Sequence, residues 1–321
     1  VRVGLVGFGV MGRNHARVLA SMSDIEFVGI VEPDGIPSLP YRVALLDDVA
    51  GLLALGVDAV VVATPTGTHR DIVLELGGVH VLVEKPVALT VEDGEAMAGA
   101  LTGKVGAVGH IERFNPAIRE LKSRVQRGDI GRILQVTTRR QNGYPARITD
   151  VGVVLDLASH DFHLTGWILD ADYDKVFGLV RSESGRDDVM LTTGVMSDGV
   201  LVNHVVNWLS PMKERVVTVT GEHGTFVANT VHGDLTLYRN AVEPVGWDSV
   251  ANFRGVREGD VVRFAYPKTE PLLAELQGFL NAVRGVGSEF VSISEGVQVL
   301  RVADAVLKSA ASGLPVKVGV S

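Results

Sequence analysis

Arg2-Val3-Gly4-Leu5-Val6-Gly7-Phe8-Gly9-Val10-Met11-Gly12 opens the chain and sets the reading of everything after it. Arg2–Val6 is a short apolar strand, and Asn14–Met22 has the apolar spacing of a helix. Between them Gly7, Phe8, Gly9, Val10, Met11 and Gly12 fit G-x-G-x-x-G. In that pattern Gly7 permits a tight turn, Gly9 lets the backbone approach a pyrophosphate, and Gly12 lets the helix pack closely on the sheet. The helix N-terminus adds unpaired N–H groups and a favourable dipole. Glu32 lies 20 residues beyond Gly12, at the end of a second strand over Glu26–Val31. A carboxylate there accepts hydrogen bonds from ribose hydroxyls and repels a 2′-phosphate, so NAD is expected ahead of NADP. Asp34 is the alternative carrier of that role.

Working outward, strand and helix patterns keep alternating. Leu46–Leu55 reads as a helix with Asp47 and Asp48 in its first turn. Asp58–Ala63 is a strand stopping at Thr64-Pro65, and His69–Leu76 a helix closed by Gly77-Gly78. His80–Val83 is a strand broken by Glu84-Lys85-Pro86; Val91–Leu101 and Val105–Gly109 complete the series. Repeated β-α-β units imply a mostly parallel sheet with its ligand crevice at the C-terminal strand ends. Pro33 to Leu45 departs from the pattern. With Pro33, Pro37, Pro40 and Gly35 it reads as a loop where a crossover helix usually stands.

From Asn115 the texture changes. Pro116–Arg127 and Gly152–Leu169 read as helices and Leu134–Arg140 as a strand. Strand patterns then succeed one another at Tyr173–Val180, Asp188–Met196, Gly199–Trp208, Glu214–Gly221, Gly224–Asn229, Asp234–Tyr238 and Val261–Phe264. Pro271–Arg284 and Ser294–Ser309 close the chain as helices. The expected architecture is an α/β Rossmann domain followed by an α+β domain with a largely antiparallel open sheet. Residues 1–112 form the dinucleotide-binding part. Residues 113–321 form the substrate-binding and oligomerisation part, with the C-terminal helices packing back on the first domain.

Composition narrows the function classes. Of 321 residues 46% are apolar, and mean hydropathy is +0.25, which is too apolar for disorder. Runs such as Ala59–Ala63 suit buried strands and fall far short of the roughly 20 residues a bilayer helix needs. With no cysteines, disulfides, thiolate zinc sites and iron–sulfur clusters are ruled out. A net charge of -8 argues against a nucleic-acid surface. A strand pattern beginning at Val1 leaves no signal-peptide features, so a cytoplasmic protein without membrane contact is expected.

Several strings together resemble the glucose–fructose oxidoreductase / inositol dehydrogenase / MocA family over nearly the whole chain. They are Gly7–Gly12 with His15, Ala63-Thr64-Pro65-Thr66 with His69, and His80-Val81-Leu82-Val83-Glu84-Lys85-Pro86. Arg113-Phe114-Asn115-Pro116 and the segment from Gly152 to His163 follow in the same order. The resemblance implies NAD(P)-dependent hydride transfer with a sugar hydroxyl, and dimers or tetramers joined through the second sheet. It implies that Lys85 lies by the nicotinamide and the substrate, with Asp156 and His160 on the helix facing them. Residues Tyr144 to Asp161 further resemble members acting on nucleotide-activated amino sugars, which points to C3 of a UDP-N-acetylhexosamine. Inositol or free-sugar dehydrogenases, an NAD-dependent glycosidase and a non-catalytic NAD-binding protein are the alternatives.

Alcohol oxidation needs a hydride acceptor and a base for the hydroxyl proton. His160 is the first choice for the base, because imidazole titrates near neutral pH. Asp156, four residues earlier, orients His160 or binds a substrate hydroxyl. Lys85 polarises the reacting oxygen. Cofactor contacts are expected from Gly7 to Gly12, Glu32, Asp34, Thr64, Pro65, His69, Glu84 and Lys85. Substrate contacts are expected from Lys85, Arg113, Asn115, Arg147, Asp156, His160, Asn207, Trp208 and Lys213, with arginine suited to a diphosphate and Trp208 to stacking on a ring. No metal is required.

Overall fold

A computed structural model describes residues 1–36, 38–144, 151–241, 258–287 and 289–319. Six short strands build the first sheet: β1 (Arg2–Val6), β2 (Glu26–Val31), β3 (Ala44–Leu46), β4 (Ala59–Val62), β5 (His80–Glu84) and β6 (Gly106–Gly109). They pair in the order β3-β2-β1-β4-β5-β6, every pair parallel. The order reverses between β1 and β4, which opens a crevice at their C-terminal ends. Helices α1 (Val10–Ser21), α2 (Val49–Ala54), α3 (His69–Glu75) and α4 (Val91–Ala100) flank the sheet. Central strands such as Ala59–Val62 are wholly buried, as strands covered on both faces must be.

Local chemistry moves two helix starts from their sequence pattern. α1 begins at Val10, directly after Gly9, so the helix absorbs half of the glycine motif. Leu46–Leu55 is divided: Ala44–Leu46 pairs with β2, and the Asp48 carboxylate then accepts Gly51 N–H at 2.8 Å as an N-cap. Asp47 and Asp48 therefore precede α2 and do not lie in its first turn. Between Glu32 and Ala44 no helix forms among the described residues, in keeping with the prolines there.

The second sheet has nine strands. They are β7 (Ile133–Gln141), β8 (Tyr173–Ser182), β9 (Asp187–Met196), β10 (Leu201–Asn207), β11 (Glu214–Gly221), β12 (Gly224–Asn229), β13 (Asp234–Asn240), β14 (Glu258–Arg263) and β15 (Val316–Lys317). Their order is β14-β13-β12-β11-β7-β10-β9-β8-β15. Neighbours are antiparallel except β7 and β10, which run parallel, so the sheet is mixed. One face is covered by α5 (Pro116–Gln126), α6 (Ser159–Leu169) and α8 (Ile293–Ser312), through residues such as Leu121, Phe162 and Val302. The other face is open and carries Leu179, Leu191 and Leu201, all exposed.

The chain then returns to the first sheet. α7 (Pro271–Val283) buries Leu272, Leu276, Phe279 and Leu280 against Val3, Leu5, Ala16 and Leu19. α8 serves both cores: Val297 and Leu300 pack with α4 and the first sheet, Val302 and Val306 with the second. The ends of β1, β4 and β5 thus face a wall made by the segment before α6 and by β11.

Candidate active site

Gly7 occupies φ +92°, a conformation open to glycine, and its N–H donates to the Val31 carbonyl at 2.9 Å. A side chain at Gly12 would drive into the Gly7 carbonyl, so the helix can start this close to the strand only with glycine there. At Gly9 a Cβ would meet nothing, because that backbone borders open space. The space is a cleft of about 1060 Å³ lined by Gly7, Gly9, Glu32, Lys85, Asp156 and His160. Its size exceeds a typical small-molecule pocket and suits a dinucleotide together with a second molecule.

At the adenosine-side end, Glu32 Oε2 accepts Phe8 N–H at 2.7 Å, which fixes the carboxylate beside the glycine turn. Asp34, Asp47 and Asp48 line the same end. Thr64 and Pro65 also line the cleft, whereas His69 is fully buried behind them. Its Nε2 faces the Thr64 carbonyl at 3.0 Å, and its Nδ1 faces those of Pro86 and Val87 at 3.1 and 3.2 Å. Burial lowers its pKa, although the carbonyls oppose that. A neutral ring donates from one nitrogen only, so His69 packs between the loops after β4 and β5, bonded to one of them, and does not line the cleft.

Glu84 has a comparable bracing role. It is buried at the cleft floor, with His15 Nε2 at 2.8 Å from Oε1, and Oε2 accepting Lys85 N–H at 3.2 Å. Burial would raise its carboxyl, but the His15 hydrogen bond and charge, helped by Lys85, hold it below the usual range. Lys85 next to it follows the end of β5, before a cis bond to Pro86. Its Nζ donates to Asp156 Oδ1 at 2.6 Å and to the Asp156 carbonyl at 2.9 Å.

Asp156 therefore holds Lys85, and no side-chain hydrogen bond joins its carboxylate to the His160 ring. Residues Val154–Ala158 form a π-helical turn before α6, so the segment from Gly152 is not the uniform helix that its pattern suggests. Such wide turns recur at functional sites because they change the face a side chain presents. His160 follows on the first turn of α6, nine-tenths buried, with Nδ1 lacking a hydrogen-bond partner among the described residues. Burial, and then the charges of Lys85 and Arg140, press its pKa well below the ordinary value. The ring is thus a neutral base at neutral pH.

Most of the expected substrate contacts lie elsewhere. Arg113 pairs with Glu295 at 2.7 Å and stacks on Trp167, 5.0 Å from the ring centroid. Asn115 caps α5 by accepting Ala117 N–H at 3.0 Å, and donates to the Thr230 carbonyl. Asn207 accepts Leu209 and Ser210 N–H groups in a turn. Trp208 is fully buried, its indole N–H donating to Asp188, so neither ring face is open to a sugar. Lys213 is exposed and does not line the cleft. Arg147 lies outside the described residues.

In their place stand two groups that the sequence reading passed over, Glu112 and Arg215, both on the cleft wall. Glu112 Oε1 accepts Arg215 Nη1 and Arg140 Nη1, each at 3.0 Å, and Arg140 also pairs with Asp161 at 3.0 Å. The available signal was register. Arg215 shares its strand face with the buried Val217 and Val219, and Arg140 shares its face with Val136, so both arginines occupy inward positions.

Residues 1–110 match the family described as oxidoreductase family, NAD-binding Rossmann fold, and residues 118–227 match the GFO/IDH/MocA C-terminal domain. The UDP-N-acetylglucosamine 3-dehydrogenase of Acidithiobacillus ferrooxidans is 28% identical over 310 residues, covering 94% of this chain and 95% of the relative. Its solved structure superposes with a TM-score of 0.83 at 25% identity over 97% of this chain and 98% of that one. The scyllo-inositol 2-dehydrogenase (NAD(+)) of Bacillus subtilis is 27% identical, covering 100% and 97% of the two chains. Levoglucosan dehydrogenase in complex with NADH shares the fold, with a TM-score of 0.85 at 22% identity over 99% of each chain.

Proposed function

The chain belongs to the GFO/IDH/MocA family of NAD-binding oxidoreductases, and we propose that it dehydrogenates a secondary hydroxyl of a sugar, with C3 of a UDP-linked N-acetylhexosamine as the leading substrate. One observation carries the reading. Lys85, Asp156 and His160 converge on one cleft whose other end is the glycine turn and Glu32. The similarity to a UDP-N-acetylglucosamine 3-dehydrogenase over nearly the full length favours the nucleotide sugar.

The residues present fit a dinucleotide. The open backbone at Gly9 and the start of α1 would take the pyrophosphate, Glu32 a ribose hydroxyl, and the wall near Lys85 the nicotinamide. The acidic groups at the adenosine-side end disfavour a 2′-phosphate, so NAD is preferred to NADP. When bound, NAD supplies the hydride acceptor. His160 takes the hydroxyl proton, and Lys85 stabilises the negative charge that develops on the oxygen. Asp156 holds the Lys85 ammonium in place through its carboxylate and carbonyl.

No helix among the described residues is long and apolar enough to cross a membrane. We read the protein as cytoplasmic, and the open leucine face of the second sheet as covered by a second copy in a homodimer or homotetramer. Light scattering on wild type and on Leu191→Asp tests that assembly. The function is tested by incubating the protein with NAD or NADP and nucleotide sugars, free sugars or inositols, following absorbance of the reduced cofactor. Turnover confined to inositol would remove the nucleotide sugar, and sugar release without net reduction would replace the reaction with bond cleavage.

A further inference from the structure

Arg140 on β7 and Arg215 on β11 stand directly opposite each other in the strand register. Like charges in that position repel. The fold compensates with one shared carboxylate oxygen, Glu112 Oε1, while Asp161 pairs with Arg140 and not with Arg215. Of the donors on the Arg215 guanidinium only Nη1 is used, by Glu112, and Nε is buried with no partner among the described residues. A buried donor left unmade costs free energy, so its retention calls for a partner. Burial and then the charge of Arg140 lower the Arg215 pKa, and burial raises the Asp161 carboxyl despite Arg140. Burial is the first cause of both, so the cluster behind this part of the cleft wall is poorly solvated.

That locus faces the reaction. Arg215 is about one-third exposed and lines the cleft together with Glu112 and His160, and its charge is felt at the imidazole. Its Nη2 has no hydrogen-bond partner among the described residues, and a charged N–H donor on the cleft wall matches an anionic oxygen of a ligand. We propose that Arg215 anchors a carboxylate or phosphoryl group of the sugar substrate, so that the enzyme selects acidic sugars over neutral polyols. Glu112 holds the guanidinium from behind, with Arg140 and Asp161 buried beneath. The inference rests on the cleft being a sugar dehydrogenase site.

The test compares wild type, Arg215→Gln and Arg215→Lys as NAD-loaded proteins. Kinetics are measured with UDP-N-acetylglucosamine, glucose 6-phosphate and glucuronate, beside the neutral N-acetylglucosamine and myo-inositol. Wild type should favour at least one anionic sugar. Arg215→Gln should raise KM for that sugar roughly 10- to 100-fold, the loss of one or two charged hydrogen bonds. The loss in kcat/KM should be several-fold greater for that sugar than for myo-inositol, while NADH affinity, read by fluorescence, should change less than about threefold. Arg215→Lys, with the charge but without the fork, should recover only part of the affinity. Which anionic sugar responds separates a carboxylate from a phosphoryl group. A wild-type preference for the neutral sugars, or an equal loss of kcat for every substrate in Arg215→Gln, would overturn the proposal. A second arm needs no turnover: calorimetric titration with UDP and with glucuronate. Binding by wild type that is lost in Arg215→Gln supports the anchor even where the dehydrogenase reading fails. No anion binding by wild type overturns it. If Arg215→Gln does not fold, Arg215→Lys alone should still lose at least about tenfold.

Discussion

Lys85 Nζ is held by Asp156 twice, by the carboxylate at 2.6 Å and by the main-chain carbonyl at 2.9 Å. Two bonds from one residue fix the direction of the ammonium as well as its charge. Asp156→Asn keeps the shape and the carbonyl but removes the countercharge. It should lower kcat by roughly 10- to 100-fold while NADH affinity stays within about threefold. Steady-state kinetics beside a fluorescence titration check this, and an unchanged kcat would remove the positioning role.

The pH dependence follows from His160. Burial, Lys85 and Arg140 keep its folded pKa well below 6.5, so the ring remains a proton acceptor as the solution is acidified through that value. The acid limb of kcat/KM for oxidation should have its midpoint below 6.5. His160→Asn should abolish that limb and reduce kcat by about 10²- to 10⁴-fold. A midpoint at or above 6.5 would contradict the assignment.

Cofactor choice is tested at Glu32. Glu32→Gln retains an oxygen for the Phe8 N–H and loses the negative charge. The ratio of NADH to NADPH affinity should fall by about tenfold, measured by cofactor fluorescence. An unaltered ratio would transfer the discrimination to Asp34 or the aspartates before α2.

Stability should decline on mild acidification for a reason located in the second core. His204 is bonded to Thr138 at 2.7 Å and Tyr173 at 2.9 Å, and burial lowers its pKa to about 3; burial, then Arg113, lowers His163 to about 3. Unfolded, both titrate near 6.5. Between these values the unfolded chain binds more protons than the folded one, so stability is lost as pH falls from about 6.5 toward 3. Each group contributes about 1.4 kcal/mol per pH unit in that window. Urea melts at several pH values should show this slope, and His204→Gln should reduce it.

The first sheet was legible because its evidence is local: glycine turns, proline stops and buried valine runs mark each β-α-β unit. The conversion of Leu46–Leu55 into a strand and a short helix depended on one cap, Asp48, which the apolar spacing masked. The parallel pairing of β7 with β10 had no local mark at all, since the two strands meet across a long stretch of chain. In the site, Lys85, Asp156 and His160 could be named from their strings, but the bond from Lys85 to Asp156 depends on a π turn that periodicity does not report. Arg113, Asn115 and Trp208 looked like ligand contacts because polar and aromatic types suit sugars. The fold consumes them in an ion pair, a helix cap and a buried indole bond. Arg215 was missed because only strand register distinguishes it from the exposed Lys213 nearby.

The position of β7 also governs how this protein is made. Both of its partners, β10 and β11, lie later in the chain, and they flank it instead of pairing with each other. During synthesis β7 emerges with both edges bare, and it must wait for residues beyond 200 before either is satisfied. Loop closure over that distance is slow, and an unpaired strand edge invites pairing with other chains. Yield from overexpression should therefore be limited by aggregation of nascent chains more than by the strength of the finished core.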